Sequence, residues 1–242
     1  MGRAFLKLLI VENGRDRGAA IAKMAKSAGF EVLLSRPYRG DALPDPQVAS
    51  SIVLTGGPAS VRDLHPTNSA FLSRVLEFTR AAIERWTPTI GICLGHQIIA
   101  RALNGRVVRM DRMEIGIRRI YPVTAHFAAS LGRNWPLQAF VFHQDHVPEP
   151  PPGCMATFWS EGCSVEGFHH VERPIQGLQF HPEISGEQAS SIVRWWRSDN
   201  AETLNVVGDV TAFDAKPAHQ LLLDLIKQCT MTKLFTKPAA LA

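Results

Sequence analysis

The cysteine at position 93 has neighbours that favour a nucleophilic role. It lies between Gly91 and Gly95, after the apolar segment 89–92 and before a second apolar segment at 94–103. This spacing is typical of a nucleophile elbow, a sharp strand-to-helix turn that exposes the reactive atom at the edge of a sheet. Amide N–H groups at the start of the following helix would favour the thiolate form. The alternative is a structural cysteine, since cysteine is among the most frequently buried residue types.

A histidine and a glutamate follow a different apolar segment. His181 and Glu183 come directly after residues 175–180, which we predict to be a buried strand. A cysteine nucleophile needs a base, and the base needs a partner that fixes its tautomer. Because catalytic groups gather at the carboxyl ends of parallel strands, we predict that His181 reaches Cys93 and that Glu183 orients the imidazole. The alternative is a surface histidine beside a glutamate that caps a helix.

A pair of glycines ends a third apolar segment. Gly56 and Gly57 follow residues 51–54 and precede a proline. Glycines at the end of a strand let backbone N–H groups approach a ligand closely. One of these N–H groups, together with that of Leu94, would form an oxyanion hole for a tetrahedral intermediate. A plain turn is the alternative for so short a motif.

Alternating strands and helices are predicted to position these segments. The predicted strands of the first half are residues 5–11, 30–34, 51–54 and 89–92. The predicted helices are residues 16–28, 68–86, 94–103, 186–196 and 218–228. This alternation predicts an α/β fold, a three-layer sandwich whose central, mostly parallel sheet has helices on both faces. Short segments at 106–109 and 115–123, and others up to residue 180, predict a short antiparallel extension of the sheet.

The order of the motifs resembles that of class I glutamine amidotransferases over residues 5–197. The segment 91–97, Gly-Ile-Cys-Leu-Gly-His-Gln, matches the signature of that family. The resemblance implies a flavodoxin-like amidotransferase fold and a cysteine-dependent amide hydrolase without a cofactor. It also implies that Cys93 forms a γ-glutamyl thioester, that His181 acts as general base and acid, and that Glu183 orients His181.

The same resemblance implies which residues surround the substrate. Gly57 and Leu94 would supply the N–H groups of the oxyanion hole. The residues implied to bind the substrate are Gly56, Gln97, His143, Gln144 and Asp145. In the family, the loop at the position of the last three holds the α-amino and α-carboxylate groups of the substrate through its backbone. The Glu-Ile-Gly segment at 114–116 is similar to a family strand that lies near this pocket.

Residues 143–147, His-Gln-Asp-His-Val, resemble most the branch that contains GMP-synthetase glutaminase domains and their stand-alone relatives. GMP synthetases usually carry a serine, a glycine and an aspartate around this histidine. The resemblance implies glutamine hydrolysis, and residues 198–242 are too few for a synthetase domain. We therefore expect a separate synthetase partner to accept the ammonia. The alternatives are a stand-alone hydrolase of γ-glutamyl amides or peptides, and a non-catalytic regulatory module, which the complete set of Cys93, His181 and Glu183 disfavours.

Composition limits the remaining classes of function. The chain has 242 residues, 45% of them hydrophobic and 20% charged, as in an ordinary folded protein. Its four cysteines form no Cys-x-x-Cys pair, which favours a reducing cytoplasmic compartment. The net charge of +4 is spread along the chain, and no apolar stretch reaches the length of a membrane span, so we expect neither nucleic acid nor membrane as a partner. The spacings of histidine and cysteine match no zinc pattern, so no metal is expected.

The domain organisation expected from the sequence is simple. Residues 1–197 are predicted to form the amidotransferase domain. Residues 198–242 lie outside the family pattern and are predicted to form a partly helical C-terminal extension. The apolar face of the helix at 218–228 has to be buried, and we expect it to pack on the same domain.

Overall fold

The protein is described by a computed structural model over residues 6–62, 70–199 and 205–236. The strands are β1 (Lys7–Val11), β2 (Glu31–Ser35), β3 (Ser51–Leu54), β4 (Thr89–Ile92), β5 (Val108–Pro122), β6 (Leu137–His146), β7 (Cys154–Trp159), β8 (Gly167–His170), β9 (Ile175–Leu178) and β10 (Asn205–Val207). The α-helices are α1 (Ala19–Ser27), α2 (Ala70–Glu84), α3 (Leu94–Ala102), α4 (Ala125–Ser130), α5 (Gly186–Asp199) and α6 (Lys216–Thr236). Among these helices, none is both long and apolar enough to span a membrane.

The strands of the described residues form one sheet in the order β10-β5-β7-β8-β9-β4-β3-β1-β2, with β6 paired to β5 beside this path. The run from β2 to β9 is parallel throughout. Strands β8, β7, β5 and β6 continue the sheet in antiparallel pairs, and β10 adds to β5 in parallel. The predicted α/β fold with a mostly parallel centre is confirmed, and the antiparallel extension holds four strands beside the five of the parallel run.

Helices cover both faces of the parallel strands because the strand side chains are apolar on both sides. On one face, α2 and α3 pack against Leu9, Ile52 and Leu54. On the other face, α1 and α6 pack against Leu8 and Ile10. The carboxyl ends of β3, β4 and β9 therefore meet at one edge, where the three predicted motifs follow their strands.

Helix α1 begins three residues later than the sequence predicts. Asp16 has a backbone φ of 59°, a left-handed conformation that interrupts a helix. The N–H of Gly18 donates a hydrogen bond of 2.8 Å to the buried Glu12 carboxylate, which lies six residues earlier. The segment before Ala19 is therefore a turn after β1. The predicted starts of the first strand at residue 5 and of the second helix at residue 68 lie outside the described residues.

Strand β5 joins two segments that the sequence predicts as separate strands, and residues 106 and 107 lie outside it. Its partner β6 pairs Arg109 with Asp145 and Glu114 with His143, with a register shift between the two pairs. Residues 110–113 thus stand opposite Gln144 alone and bulge out of the ladder. The bulge turns the side chains at 111–113 towards the carboxyl edge of the sheet.

Helix α6 covers the centre of the sheet and is longer than predicted. It contacts β3, β4, β6 and α1. Its fully buried apolar side chains are Ala218, Leu221, Leu222, Leu225 and Ile226. They share one core with Leu8 and Ile10 of β1. We propose that residues 198–242 belong to the same folding unit as residues 1–197, because without α6 the sheet face over β3 and β4 would be exposed to water.

The substitution Leu222→Ala tests this packing. Leu222 has no exposed surface, so we expect its truncation to lower the free energy of unfolding by about 2–5 kcal/mol. Chemical denaturation with a fluorescence readout measures the change. The control Lys227→Ala changes an exposed residue of the same helix and is expected to leave stability within about 0.5 kcal/mol. An equal, small effect of both substitutions would contradict the proposed folding unit.

Candidate active site

Cys93 lies on the turn between β4 and α3 in a strained backbone conformation. Its φ is 50° and its ψ is −105°, which costs a non-glycine residue about 1–3 kcal/mol. The neighbouring strand holds this geometry, since the Cys93 N–H donates a hydrogen bond of 2.7 Å to the Leu178 carbonyl. A side chain on Gly95 would overlap the backbone carbonyl of Leu54, so α3 can approach β3 only with glycine at this position. The turn has the form of a nucleophile elbow.

His181 and Glu183 form a buried pair beside this turn. The His181 N–H donates a hydrogen bond of 2.8 Å to the Phe140 carbonyl, which ties the residue to β6. The Nδ1 atom of His181 lies 2.8 Å from Oε1 of Glu183. Both residues are almost fully buried, with exposed fractions of 3% and 1%. Since Glu183 occupies Nδ1, the opposite ring nitrogen, Nε2, is left to exchange a proton with Cys93.

The charges around His181 favour its protonated form. Burial alone would lower the pKa of His181, but the Glu183 carboxylate and Cys93 outweigh burial and raise it above its ordinary value. Both neighbours act through their charge and through hydrogen bonds to the ring. The arrangement can therefore hold a proton on the imidazole next to the Cys93 sulfur, as acyl transfer by a cysteine requires.

The glycine turn after β3 lies against both reacting groups. A Cβ atom on Gly56 would lie 2.9 Å from Cε1 of His181 and 3.5 Å from Cβ of Cys93. A Cβ atom on Gly57 would lie 3.0 Å from Cδ2 of Leu94. The backbone at positions 56 and 57 can therefore approach the elbow only because both residues lack side chains. Leu94 is the first residue of α3, directly after Cys93, so its N–H is one of the amides at the start of the helix that have no partner within the helix.

Gln97 and Asp145 form hydrogen bonds within the protein. The Gln97 Nε2 donates hydrogen bonds of 2.8 Å to the Asp145 carbonyl and 3.2 Å to Oε1 of Gln179. The Asp145 carboxylate accepts a hydrogen bond of 2.6 Å from the Ser60 hydroxyl and lies 3.6 Å from Nε of Arg62. These contacts join the end of β6 to α3 and to the turn after β3. They fix the segment that the sequence predicts as a substrate loop.

The side chains of His143 and Gln144 contact neighbouring residues of β5. The His143 ring is buried, with Nε2 lying 4.0 Å from the Glu114 carboxylate. Burial, together with the nearby charge of His181, lowers the pKa of His143 to about 3, so the ring is neutral near pH 7. The Gln144 side chain accepts a hydrogen bond of 2.6 Å from Arg109 and donates one of 3.3 Å to the Met110 carbonyl.

A buried polar cluster lies behind His143. Glu114 pairs with the guanidinium of Arg118, and Glu166 accepts a hydrogen bond of 2.7 Å from the Ser160 hydroxyl. Burial raises the pKa of Glu166 to about 8. The cluster therefore contains one ion pair and one protonated carboxyl near pH 7. Across the described ranges, no group of three or more metal-ligating side chains is present.

A cavity of about 950 Å³ opens over Cys93. The predicted residues that line it are Gly57, Cys93, Leu94, Gln97, His143, Gln144, Asp145 and His181. Gly56 and Glu183 do not line it, because they lie behind the His181 ring. The fold thus brings one contiguous site together from segments that are far apart in the sequence.

Comparison with known proteins identifies the family. The family model for glutamine amidotransferase class-I matches residues 9–196, which is more than half of the chain. The chain belongs to the class I glutamine amidotransferases. It is accordingly a cysteine-dependent enzyme of that family, as the motifs predict.

Curated relatives of this amidotransferase include subunits of GMP synthases. The chain is 28% identical over 190 residues to a subunit of the glutamine-hydrolysing GMP synthase of Methanococcus vannielii, covering 77% of this chain and 92% of the relative. It is 31% identical over 188 residues to the equally named protein of Methanococcus maripaludis strain C7, with the same two coverages. The predicted similarity to the GMP-synthetase branch is confirmed.

Solved structures share the fold of this amidotransferase. A glutamine amidotransferase from Thermotoga maritima superposes with a TM-score of 0.80 at 20% identity, over 94% of this chain and 99% of that one. A glutamine amidotransferase from Methylobacillus flagellatus gives 0.76 at 22% identity, over 99% of both chains. The second likeness covers almost the whole chain and so includes the region of α6, which lies beyond the family model.

The active site of this amidotransferase contains residues that the motifs did not indicate. Arg17, Arg112 and Met113 line the cavity, as do Trp195 and Trp196 of α5. The two arginines and the methionine belong to a turn and a bulge, whose positions depend on contacts with distant strands. The adjacent tryptophans are a visible signal in the sequence, but such a pair on a helix is more typical of core packing than of a binding site. They stack edge to face at 5.7 Å, and Trp195 is 56% exposed.

Proposed function

We propose that this chain hydrolyses the γ-carboxamide of L-glutamine through a γ-glutamyl thioester on Cys93. The observation that carries the proposal is the hydrogen bond of 2.8 Å between His181 and Glu183, next to a cysteine held at a φ of 50°. This pair beside the cysteine supports the assignment of Cys93 as nucleophile, His181 as base and Glu183 as orienting acid.

In the acylation half, the Cys93 sulfur attacks the γ-carbonyl carbon while His181 carries the proton taken from the thiol. The carbonyl oxygen becomes an oxyanion, which accepts hydrogen bonds from the N–H groups of Gly57 and Leu94. When the tetrahedral intermediate collapses, the carbon–nitrogen bond breaks. His181 returns the proton to the departing nitrogen, which leaves as ammonia.

In the deacylation half, His181 takes a proton from a water molecule that attacks the thioester carbon. The same oxyanion hole stabilises the second tetrahedral intermediate. The carbon–sulfur bond then breaks, glutamate forms, and the proton returns to Cys93. Glu183 stabilises the imidazolium in both halves.

We assign the glutamyl part of the substrate to the segment between α3 and the end of β6. Backbone groups of His143, Gln144 and Asp145 would bind its α-amino and α-carboxylate groups, because the side chains of Gln144 and Asp145 form hydrogen bonds within the protein and the His143 ring is buried beside Glu114. Gln97 would border the same subsite. Gly56 would contact the His181 ring, which forms the other end of the subsite.

We further propose that a separate synthetase partner takes up the ammonia. Support comes from the curated relatives, which are named as subunits of glutamine-hydrolysing GMP synthases. The family model matches residues 9–196 and the described remainder adds one short strand and one helix, so this chain offers no second catalytic domain within the described residues.

A second candidate function follows from the size of the cavity. A volume of about 950 Å³ lies at the upper end of the roughly 300–1,000 Å³ typical of small-molecule sites. The cavity extends from Cys93 to Arg112 and Trp195. It is larger than the space that ammonia, the leaving group of glutamine, requires. This observation favours a hydrolase of γ-glutamyl conjugates whose amine part is bulky.

Steady-state hydrolysis of a substrate panel by the purified chain separates the two candidates. L-Glutamine, γ-glutamyl alkylamides and γ-glutamyl dipeptides are compared by glutamate release, with L-asparagine as the control that is one methylene shorter. We expect kcat/KM for glutamine to exceed that of every conjugate by about tenfold or more. A preference for a conjugate would instead support the second candidate and contradict ammonia supply. Absence of turnover of every γ-glutamyl compound would contradict both.

A further inference from the structure

Asn13, in the turn between β1 and α1, contacts the glycine turn after β3. The Asn13 N–H donates a hydrogen bond of 2.9 Å to the Thr55 hydroxyl, and its side-chain Nδ2 donates one of 2.9 Å to the Thr55 carbonyl. Asn13 is 1% exposed, so neither bond competes with water. Two bonds from one residue fix both the side chain and the backbone of Thr55.

The contact continues along the glycine turn. The Asn13 carbonyl lies so close to Gly57 that it would overlap any side chain at that position. The Thr55 hydroxyl donates a hydrogen bond of 2.9 Å to the Gly56 carbonyl. A Cβ atom on Gly14 would lie 2.9 Å from Cδ of Pro58. The β1–α1 turn therefore supports the whole outer side of residues 55–58.

The inner side of the same turn touches the reacting groups. Gly56 lies against the His181 ring and Cys93, and Gly57 lies against Leu94. The turn is thus held between Asn13 on one side and the catalytic residues on the other. Because this packing leaves no room for a side chain at either glycine, a shift of the turn moves the Gly57 N–H and the surface behind the His181 ring together.

We propose that Asn13 is a positioning residue for the reaction at Cys93. It touches neither the nucleophile nor the cavity, and it acts by holding residues 55–57 so that the Gly57 N–H points at the oxyanion. The proposal rests on the proposed function, since it assigns Asn13 to the oxyanion hole of that reaction. The oxyanion exists only in the transition state and the intermediates, so Asn13 should affect kcat much more than KM.

The substitution Asn13→Leu tests the proposal, because leucine has a similar volume but lacks the side-chain amide that donates to the Thr55 carbonyl, while its backbone N–H can still donate to the Thr55 hydroxyl. We expect kcat for glutamine hydrolysis to fall roughly 10- to 100-fold while KM changes less than about threefold. A second pair of variants acts on the partner. Thr55→Val removes the hydroxyl and should lower kcat about tenfold, whereas Thr55→Ser keeps the hydroxyl and should restore kcat to within about threefold of the wild type.

Ser35→Ala is the matched control. Ser35 is a buried polar residue at the carboxyl end of the adjacent strand β2, where its hydroxyl donates a hydrogen bond of 3.0 Å to the Ala42 carbonyl. Its loss should lower the thermal midpoint without changing kcat. If Asn13→Leu does not fold, the difference between Thr55→Val and Thr55→Ser decides the outcome.

The outcomes separate this inference from the proposed function. An active wild type with an unchanged kcat in Asn13→Leu, or equal kcat values in the two Thr55 variants, would overturn the positioning role alone. A fall of kcat in Ser35→Ala as large as in Asn13→Leu would also overturn it, because the effect would then follow stability. A wild-type chain without glutaminase activity would overturn both the proposed function and this inference.

Discussion

Replacing Cys93 with alanine should abolish glutamine hydrolysis while leaving the fold intact. The sulfur is the only atom of the described site placed to form the thioester, and removing the nucleophile of a comparable triad costs about 10⁶-fold in kcat. We therefore expect a loss of at least about 10⁴-fold, limited by the background of the assay. Coupled detection of glutamate and ammonia measures the loss, and near-ultraviolet circular dichroism should match the wild type.

Cys154→Ala is the control for the nucleophile. Cys154 is partly buried on β7, does not line the cavity, and burial raises its pKa to about 12, which keeps it a thiol. Its substitution should leave kcat within about twofold. Equal activity of Cys93→Ala and the wild type would contradict the assignment of the nucleophile.

Glu183→Gln should lower kcat by roughly 10³- to 10⁴-fold, although the side chain keeps its shape. The neutral amide of the glutamine side chain cannot stabilise the imidazolium by its charge. It can present either a donor or an acceptor to Nδ1 of His181, so it no longer fixes the tautomer of the ring. The side chain is 1% exposed, so water does not replace the lost charge. Glu187→Gln, an exposed change in the first turn of α5, is the control and should retain full activity.

The pH profile of Glu183→Gln should change in a defined direction. Glu183 raises the pKa of His181, and ammonia leaves only when His181 carries a proton to give it. In the wild type, kcat/KM therefore falls as pH rises through this raised pKa. Without the carboxylate the pKa of His181 falls, so the alkaline limb of the residual activity should move to lower pH. An alkaline limb that stays in place or moves to higher pH would contradict the role of Glu183.

The parallel half of the fold was predictable from the sequence because its strands are short apolar runs bounded by turn residues. Residues 51–54 and 89–92 were predicted without error, and they are buried along their whole length. Helix α3 starts at the predicted residue because the elbow sequence specifies both the end of β4 and the start of the helix. The proximity of Cys93 and His181 could be predicted because β4 and β9 pair in parallel and end at the same edge of the sheet.

The antiparallel half was less predictable because long-range pairing determines it. The bulge at residues 110–113 depends on the register between Arg109–Asp145 and Glu114–His143. No local pattern indicates that register. Strand β10 is only three residues long and gains its structure from pairing with β5. Helix α4 has a visible cap, Thr124, which accepts a hydrogen bond from the Phe127 N–H, but its six residues are too few for a periodic signal.

Residues that support the site could not be recognised from the sequence, for a different reason. Asn13 and Gly14 form a dipeptide typical of turns, and a turn is what the sequence predicts for them. Their further contact with residues 55–58 spans 42 positions and exists only once β1 and β3 pair. The apolar face of α6 predicted burial, but its place over the centre of the sheet depends on which face α1 leaves uncovered.

Trapping of the thioester tests the proposed mechanism most directly. The wild-type chain is mixed with L-glutamine, quenched in acid during the steady state, digested and analysed by mass spectrometry, with Cys93→Ala treated in parallel. We predict a glutamyl group on the peptide that contains Cys93, removable by hydroxylamine and absent from the variant. Turnover without any glutamyl group on Cys93, or with the group on Cys154, Cys163 or Cys229, would contradict the mechanism.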